Sequence, residues 1–376
     1  MPEDAERRPA LDAVRGLAIA LVVLVHFGTP HAPASDVASA VFFALVDSGW
    51  VGVDLFFVLS GYLITRNLLR ARERPHYFRN FYARRALRIL PLYWGWLALT
   101  FFVLVHLVPG GRPVPWTEQL WYWAFLANVH VAAHWGPSTL VHFWSLAVEE
   151  HFYAVWPFVV RWLRPARLLV ACVAVAVVAF ASRAWLWHSG ADARWIVFFT
   201  LCRLDALAAG GMLAAAERWR GGLEPLARPV RLCALLGGAA IALLLVEHGR
   251  LSWTAPTLAQ ATVQYTAVAA LSTALVAHAA STRPTPLLRW PPLVALGEIS
   301  YGVYVMHLFV NWAFSVFVVS YAPPVRAMLP WWALLAQIAT MLVATSALAW
   351  ISYRFYERRW LALKRHFGGP ESERSR

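Results

Sequence analysis

Long apolar runs recur along the whole chain and constrain its fold more than any other feature of the sequence. They extend from residue 11 to residue 353, and each is about 20 residues long, as a helix needs to cross a bilayer. The alternating apolar and polar residues of a membrane β-barrel are absent from the sequence. Hydrophobic residues make up 60% of the chain and charged residues only 14%, which excludes a soluble enzyme and a disordered chain. We predict an all-α, polytopic bundle of transmembrane helices.

The positions of the arginines orient these runs and set their number. With ten spans, most arginines fall on one side of the membrane, which the positive-inside rule assigns to the cytoplasm together with both termini. A further stretch, 116–133, would reverse this assignment if it crossed, so we predict an interfacial or re-entrant helix there. The ten predicted spans are 11–29, 45–65, 89–108, 143–163, 168–187, 195–216, 231–248, 258–280, 293–317 and 331–353.

Domain organisation, charge and cysteine content are simple. Residues 1–366 are predicted to form a single membrane-embedded domain, and residues 367–376 a short polar cytoplasmic tail. The net charge of +13 is confined to short loops, as the positive-inside rule requires, so nucleic acid is excluded as a partner. The three cysteines are far apart and form no CxxC pair, which argues against a metal site or a disulfide framework.

Several ionisable side chains lie within the predicted spans, where an unpaired charge is costly. His26 follows Arg15 by eleven residues, a rise of ~16 Å along a helix, and therefore lies in the outer half of the membrane. Asp54, Glu149 and His307 reach a similar depth from three other spans. A histidine beside a carboxylate is the outline of a general-base pair, although a structural polar network is the alternative. We predict that these four side chains converge.

Two other sets of charges are conspicuous. The segment 66–88 is dense in arginine, which favours attraction to anionic lipids or a clamp on phosphate groups. Arg203 and Asp205 are two positions apart on one predicted helix, face different sides of it and cannot pair with each other. No glycine-rich phosphate loop follows a predicted strand, so nucleotide hydrolysis is not indicated.

Seven short motifs, in order along nearly the whole chain, resemble those of the membrane acyltransferase-3 family, the bacterial integral-membrane O-acyltransferases. They are LDAVRGLAIALVVLVH, GVDLFFVLSGYLI, FYARRALRILPLYW, HFWSLAVEEHFYAVWP, CRLDALAAGGMLA, ISYGVYVMH and SYRFYERRW. The residues in the family's signature positions are Arg15 and His26 (Arg-x10-His), Arg85 and Arg88 (RxxR), and Ser145, Glu149, Phe152 and Tyr153 (SxxxExxFY).

The resemblance implies an acyl-CoA co-substrate, most often acetyl-CoA, with neither a tightly bound cofactor nor a metal. It implies an acceptor hydroxyl on a cell-surface carbohydrate or lipid-linked glycan, and a location among the lipids of a bacterial inner membrane. Arg15, Arg85 and Arg88 are then the candidates to bind the phosphates of CoA. The chain ends after the tenth predicted span, so we expect no fused SGNH-type hydrolase domain.

The resemblance also implies catalytic roles. His26 would deprotonate the acceptor hydroxyl or briefly carry the acyl group. Glu149 would orient His26, and Tyr153 or Ser145 would donate a hydrogen bond to the developing oxyanion. Further candidates for contact with substrate or support of these groups are Asp54, Ser60, Glu150, His307, Arg203 and Asp205.

Two alternatives remain open at this point. The same chemistry can serve a macrolide-like small molecule instead of a glycan. A secondary transporter or glycan flippase is the alternative of another class, although such proteins usually show internal repeats and discontinuous helices.

Overall fold

The fold is described from a computed structural model, which covers residues 8–29, 33–107, 113–252, 254, 256–316 and 330–368. All regular elements within these residues are helical. The main helices are α1 (Pro9–Gly28), α2 (Val37–Asp47), α3 (Val51–Ala71), α4 (Tyr77–Leu99), α5 (Trp116–Trp123), α6 (Ala127–His134), α7 (Phe143–Trp162), α8 (Pro165–His188), α9 (Ala193–Phe198), α10 (Thr200–Arg220), α11 (Ala227–His248), α12 (Leu258–Ala280), α13 (Pro291–Glu298), α14 (Ser300–Phe314) and α15 (Trp331–Ser352).

The helices confirm a polytopic membrane protein. In the described part of the chain, eight helical stretches are long and apolar enough to cross a membrane, and the bent pair α13–α14 makes a ninth if it forms one span. The remaining predicted span, 143–163, corresponds to α7, which has the length but carries Glu149 and Glu150 in its first half. The count of ten stays a prediction, whereas the all-α bundle is confirmed.

The predicted span 293–317 is not one straight helix. Between α13 and α14 the chain bends by 79° at Ile299, and residue 317 lies outside the described residues. The bend follows Gly297, where a Cβ would lie 1.8 Å from the Asp12 carbonyl oxygen, so α13 is held directly against α1. Packing against α1 thus sets the direction of α13, and the stretch is divided into two helices; that it crosses the membrane as one span stays a prediction.

The stretch 116–133 also differs in detail from its prediction. It forms two eight-residue helices, α5 and α6, and Phe125 between them has a φ of 57°. Eight residues rise only about 12 Å, so neither helix spans a membrane alone. The prediction of a single helix is wrong, since the left-handed residue breaks it.

Contacts between loops gather several arginine-rich turns at one end of the bundle. Arg72, after α3, donates a hydrogen bond to the Leu163 carbonyl between α7 and α8 at 2.9 Å. Arg8, before α1, donates to the Ala280 carbonyl at the end of α12. These segments are all predicted to be cytoplasmic, and we refer to this end as the arginine-rich end.

Helices α3 and α10 approach each other to backbone contact at two glycines. A Cβ on Gly210 would lie 1.9 Å from the Val58 carbonyl oxygen, and one on Gly61 would lie 2.0 Å from the Leu207 carbonyl oxygen. Small residues allow this approach in membrane helices, where close packing replaces the hydrophobic effect as the force that joins helices. The contact fixes α3, whose residues line the cavity described below.

We predict that Gly210→Ala lowers the free energy of unfolding by roughly 1–3 kcal/mol, as overpacking does, because the backbone of α3 must move. Gly238→Ala on α11 is the matched control, since a Cβ there meets nothing within 4 Å. Unfolding of the purified protein by SDS, followed by circular dichroism, measures both. Equal stability of the two variants would contradict the proposed backbone contact.

Candidate active site

Most of the predicted site residues line one cavity of about 200 Å³. It lies between α1, α3, α4, α7 and α14. Its three guanidinium groups belong to Arg15 on α1 and to Arg85 and Arg88 on α4, in the halves of these helices nearer the arginine-rich end. Ser145 is in the first turn of α7, toward the opposite end of the bundle. The predicted residues that line the cavity are Arg15, Ser60, Arg85, Arg88, Ser145, Glu149 and Tyr153.

Arg85 is held by acidic and aromatic neighbours. Its Nε and one terminal nitrogen donate to the same oxygen of Glu150, at 3.1 and 2.9 Å. That terminal nitrogen lies 4.0 Å from Glu149, and the guanidinium carbon is 3.2 Å from the centroid of the Tyr153 ring. These neighbours largely compensate the positive charge of Arg85 and fix the orientation of its guanidinium group.

The other two arginines of the cavity differ in their freedom. Arg15 donates a hydrogen bond to Asp12, one helical turn before it. Arg88 is exposed and lines the cavity, and no carboxylate among the described residues accepts a hydrogen bond from it. Arg88 is therefore the cation of the cavity most available to an anionic ligand.

Glu149 does not contact His26 within the described residues. Its carboxylate interacts with Ser60 and Tyr153 and lies 4.0 Å from a terminal nitrogen of Arg85. The expectation that Glu149 orients His26 is corrected accordingly: the guanidinium of Arg85 draws this carboxylate toward α4 and away from α1.

The neighbours of His26 are two other histidines. The ring centroid of His307 lies 4.9 Å from that of His26, and the centroid of His142 lies 4.7 Å from that of His307. His307 and His142 are buried, and His26 is half-buried. The structure therefore brings His26 and His307 together, as predicted, in a cluster that also contains His142.

Two hydroxyl groups join this histidine cluster to the cavity. The Tyr304 hydroxyl donates to the His142 carbonyl oxygen at 2.7 Å and accepts from Ser145 Oγ at 2.5 Å. Both hydroxyl-bearing residues line the cavity, whereas His26 and His307 do not. The hydroxyl pair thus forms the boundary between the cavity and the histidines.

Within the described residues, no group of three or more His, Cys, Asp or Glu side chains is arranged to hold a metal ion.

His142 and Tyr304 are not among the site residues predicted from the sequence. Each stands three residues before a predicted site residue, His142 before Ser145 and Tyr304 before His307. Residues three apart on a helix share a face, and that spacing was the signal available in the sequence.

The remaining predicted charges form two ion pairs outside the cavity. Arg203 on α10 donates to both oxygens of Asp54 on α3, each at 2.8 Å. Asp205 pairs with Arg183 on α8 at 2.8 Å. All four side chains are at most 5% exposed, and they do not line the cavity. Each charge is therefore compensated across helices, which agrees with the expectation that Arg203 and Asp205 do not pair with each other.

We predict that Arg183→Met alone destabilises the protein by about 3–5 kcal/mol, because it leaves the Asp205 carboxylate buried and unpaired. The double variant Arg183→Met/Asp205→Leu removes both charges and is expected to recover much of that loss. The SDS unfolding midpoint measures both effects. If the double variant is no more stable than the single one, the ion pair does not explain the cost.

The chain is similar to a known protein family and to several named proteins. Residues 8–353 match a family described as an acyltransferase domain. YrhL of Bacillus subtilis strain 168, provisionally named a peptidoglycan O-acetyltransferase, is 30% identical over 375 residues, which cover 93% of this chain and 54% of YrhL. The peptidoglycan O-acetyltransferase OatA of Listeria monocytogenes is 27% identical, over 93% of this chain and 55% of its own length.

A more distant relative is the O-acetyltransferase OatA of Staphylococcus aureus, 24% identical over 93% of this chain and 56% of its own length. The chain spans about half the length of the curated relatives it matches. No solved structure matches it.

Proposed function

This chain belongs to the membrane acyltransferase-3 family, and from that premise we propose that it is an O-acyltransferase. It moves an acyl group, most often acetyl, from cytoplasmic acyl-CoA to a hydroxyl of a cell-surface or lipid-linked carbohydrate. One observation carries the proposal. A cavity lined by three arginines ends at a hydroxyl pair, and a histidine cluster lies directly behind that pair.

The arginines suit a polyphosphorylated donor. Arg88 is the main phosphate ligand, since it is exposed in the cavity and no carboxylate among the described residues accepts a hydrogen bond from it; Glu357 and Asp12 act on it only electrostatically. Arg15 assists, but the carboxylate of Asp12 partly compensates its positive charge. Arg85 is bound by Glu150 and acts chiefly to position Glu149 and Tyr153. Guanidinium groups bind phosphate through paired hydrogen bonds, so this end of the cavity holds the nucleotide of acyl-CoA.

The reaction takes place where the cavity meets the histidines. The acceptor oxygen attacks the thioester carbon while His26 Nε2 takes the hydroxyl proton. The negative charge on the former carbonyl oxygen accepts a hydrogen bond from Ser145, whose present partner, the Tyr304 hydroxyl, already donates to His142. The carbon–sulphur bond then breaks, and the CoA thiolate takes the proton from His26.

The relatives suggest the acceptor and the location. OatA of Listeria monocytogenes is named a peptidoglycan O-acetyltransferase, and a sugar hydroxyl of peptidoglycan or its lipid-linked precursor is the acceptor that we propose here. Such acceptors lie at the bacterial inner membrane, to which we assign the protein. The arginine-rich end then faces the cytoplasm, where acyl-CoA is available.

The test is acetyl transfer by the purified protein in lipid nanodiscs. Labelled acetyl-CoA is supplied with peptidoglycan fragments, and free CoA thiol and label on the glycan are both measured. We expect thiol release that depends on the glycan, and label that mild base removes as an ester. A glycan with methylated hydroxyls is the matched control and should release no CoA. Absence of both thiol release and label, with several acyl chain lengths, would overturn the proposal and favour a transporter.

A further inference from the structure

Two backbone carbonyls determine which nitrogens of His26 and His307 carry protons. His26 Nδ1 lies 2.8 Å from the Val22 carbonyl oxygen, and His307 Nδ1 lies 2.6 Å from the Tyr304 carbonyl oxygen. A carbonyl oxygen only accepts hydrogen bonds. Each Nδ1 must therefore carry a hydrogen, and each Nε2 of the neutral rings holds a lone pair.

The contact between the two rings follows from this assignment. His307 Nε2 lies 3.3 Å from His26 Nδ1, and only the His26 nitrogen has a hydrogen to donate. The His26 N–H is thus shared between the Val22 carbonyl and the His307 lone pair. His26 Nε2 accepts no hydrogen bond from the described residues and keeps its lone pair on a half-buried ring.

We propose that His307 is the positioning residue of His26 and takes the place that a carboxylate has in a Ser-His-Asp triad. It accepts the Nδ1 hydrogen, holds the His26 ring in one orientation and keeps Nε2 available as a base. The proposal rests on the proposed function for its catalytic consequence. It is required because Glu149, the carboxylate in the sequence motif, faces Arg85 instead.

The proton balance of the step is complete within the two rings. When the acceptor O–H bond breaks and the O–C bond forms, the proton passes to His26 Nε2. The Nδ1 hydrogen then moves toward His307 Nε2, so that both imidazoles share the positive charge. When the carbon–sulphur bond breaks, the thiolate takes the Nε2 proton and both rings return to their neutral forms.

His142 holds the His307 ring in place. Its Nε2 donates to the Val305 carbonyl at 3.3 Å, and its ring meets that of His307 edge to face at an interplanar angle of 72°. His307 is thus confined by the Tyr304 carbonyl on one side and the His142 ring on another. This confinement explains how a neutral, buried side chain can replace a carboxylate as an orienting group.

The experiment compares His307→Leu with His307→Gln in the acetyl-transfer assay. Leucine cannot accept the Nδ1 hydrogen, so kcat is expected to fall by about 10²- to 10³-fold, with KM for acetyl-CoA changed by less than about twofold. Glutamine can accept it through its amide oxygen but cannot share the charge, and should restore about tenfold of that loss. Equal kcat values for the two variants, or an unchanged kcat in His307→Leu, would overturn the proposal.

A second readout does not depend on turnover. Nitrogen NMR of protein labelled with ¹⁵N-histidine reports which ring nitrogen is protonated, and the His26 signals are assigned by their loss in His26→Ala. We expect His26 in the Nδ1–H form in the wild type. In His307→Leu the Val22 carbonyl still holds that form, but the Nδ1 signal should shift because its second acceptor is lost, and an unshifted signal would overturn the proposal. The Nε2–H form in the wild type would overturn the proposal. If the wild type transfers no acetyl group, the proposed function fails, and the NMR result still decides whether His26 Nδ1 donates a hydrogen bond to His307 Nε2.

Discussion

His26→Ala is expected to lower the rate of acetyl transfer by roughly 10²- to 10⁴-fold, the usual contribution of a general base. The variant removes His26 Nε2. Among the ring nitrogens of His26 and His307, only this one has a lone pair and no hydrogen-bond partner among the described residues. His26 does not line the cavity, so the donor still binds. Initial rates of CoA release, measured as a function of acetyl-CoA concentration, should show a reduced kcat with KM nearly unchanged.

The control for this variant is His188→Ala, at the exposed end of α8. It removes the same side chain at a position remote from the cavity, and its kcat should equal that of the wild type. Thermal unfolding of both variants separates lost chemistry from lost structure. Wild-type activity in a folded His26→Ala protein would show that another group removes the proton.

Much of this architecture follows from the sequence because hydropathy measures depth. The apolar runs place His26, Asp54, Glu149 and His307 at similar depths, and the structure brings His26 and His307 into contact. The predicted convergence of all four is wrong for Asp54, because Arg203 on α10 draws its carboxylate into an ion pair outside the cavity. Depth does not say which way a side chain points around the helix axis. Glu149 reaches the predicted level but faces Arg85, because the rotation of α7 is set by packing against α3 and α4.

Other features that the sequence does not show have a similar cause. The bend between α13 and α14 depends on the contact of Gly297 with the backbone of α1, and hydropathy is blind to such contacts. Arg183 on α8 pairs with Asp205 on α10. The sequence alone shows Arg183 only as a single charge within its own apolar run. Contacts between residues on different helices can be identified only when the packing is known. His142 and Tyr304 are the exception, because their three-residue spacing from predicted site residues is visible in the sequence.

Arg88→Gln is expected to raise KM for acetyl-CoA by about 10- to 100-fold, since hydrogen bonds to charged groups contribute about 1.5–3 kcal/mol. The guanidinium lines the cavity and is exposed, and no carboxylate among the described residues accepts a hydrogen bond from it. The kcat at saturating donor should change little, because Arg88 belongs to the phosphate end of the cavity. Steady-state kinetics of CoA release at varied acetyl-CoA measure both constants.

The phosphate assignment has a sharper test in a donor that lacks phosphates. Acetyl-pantetheine offers the same thioester without the nucleotide, so wild type and Arg88→Gln should use it equally, and the difference between them should appear only with acetyl-CoA. Arg79→Gln removes the same charge from an exposed position of α4 outside the cavity, and it should leave both donors unaffected. If Arg88→Gln impairs both donors alike, Arg88 supports the fold or the thioester end of the cavity. If Arg79→Gln raises KM as much as Arg88→Gln, the arginine-rich end attracts CoA by its overall charge, without a specific ligand.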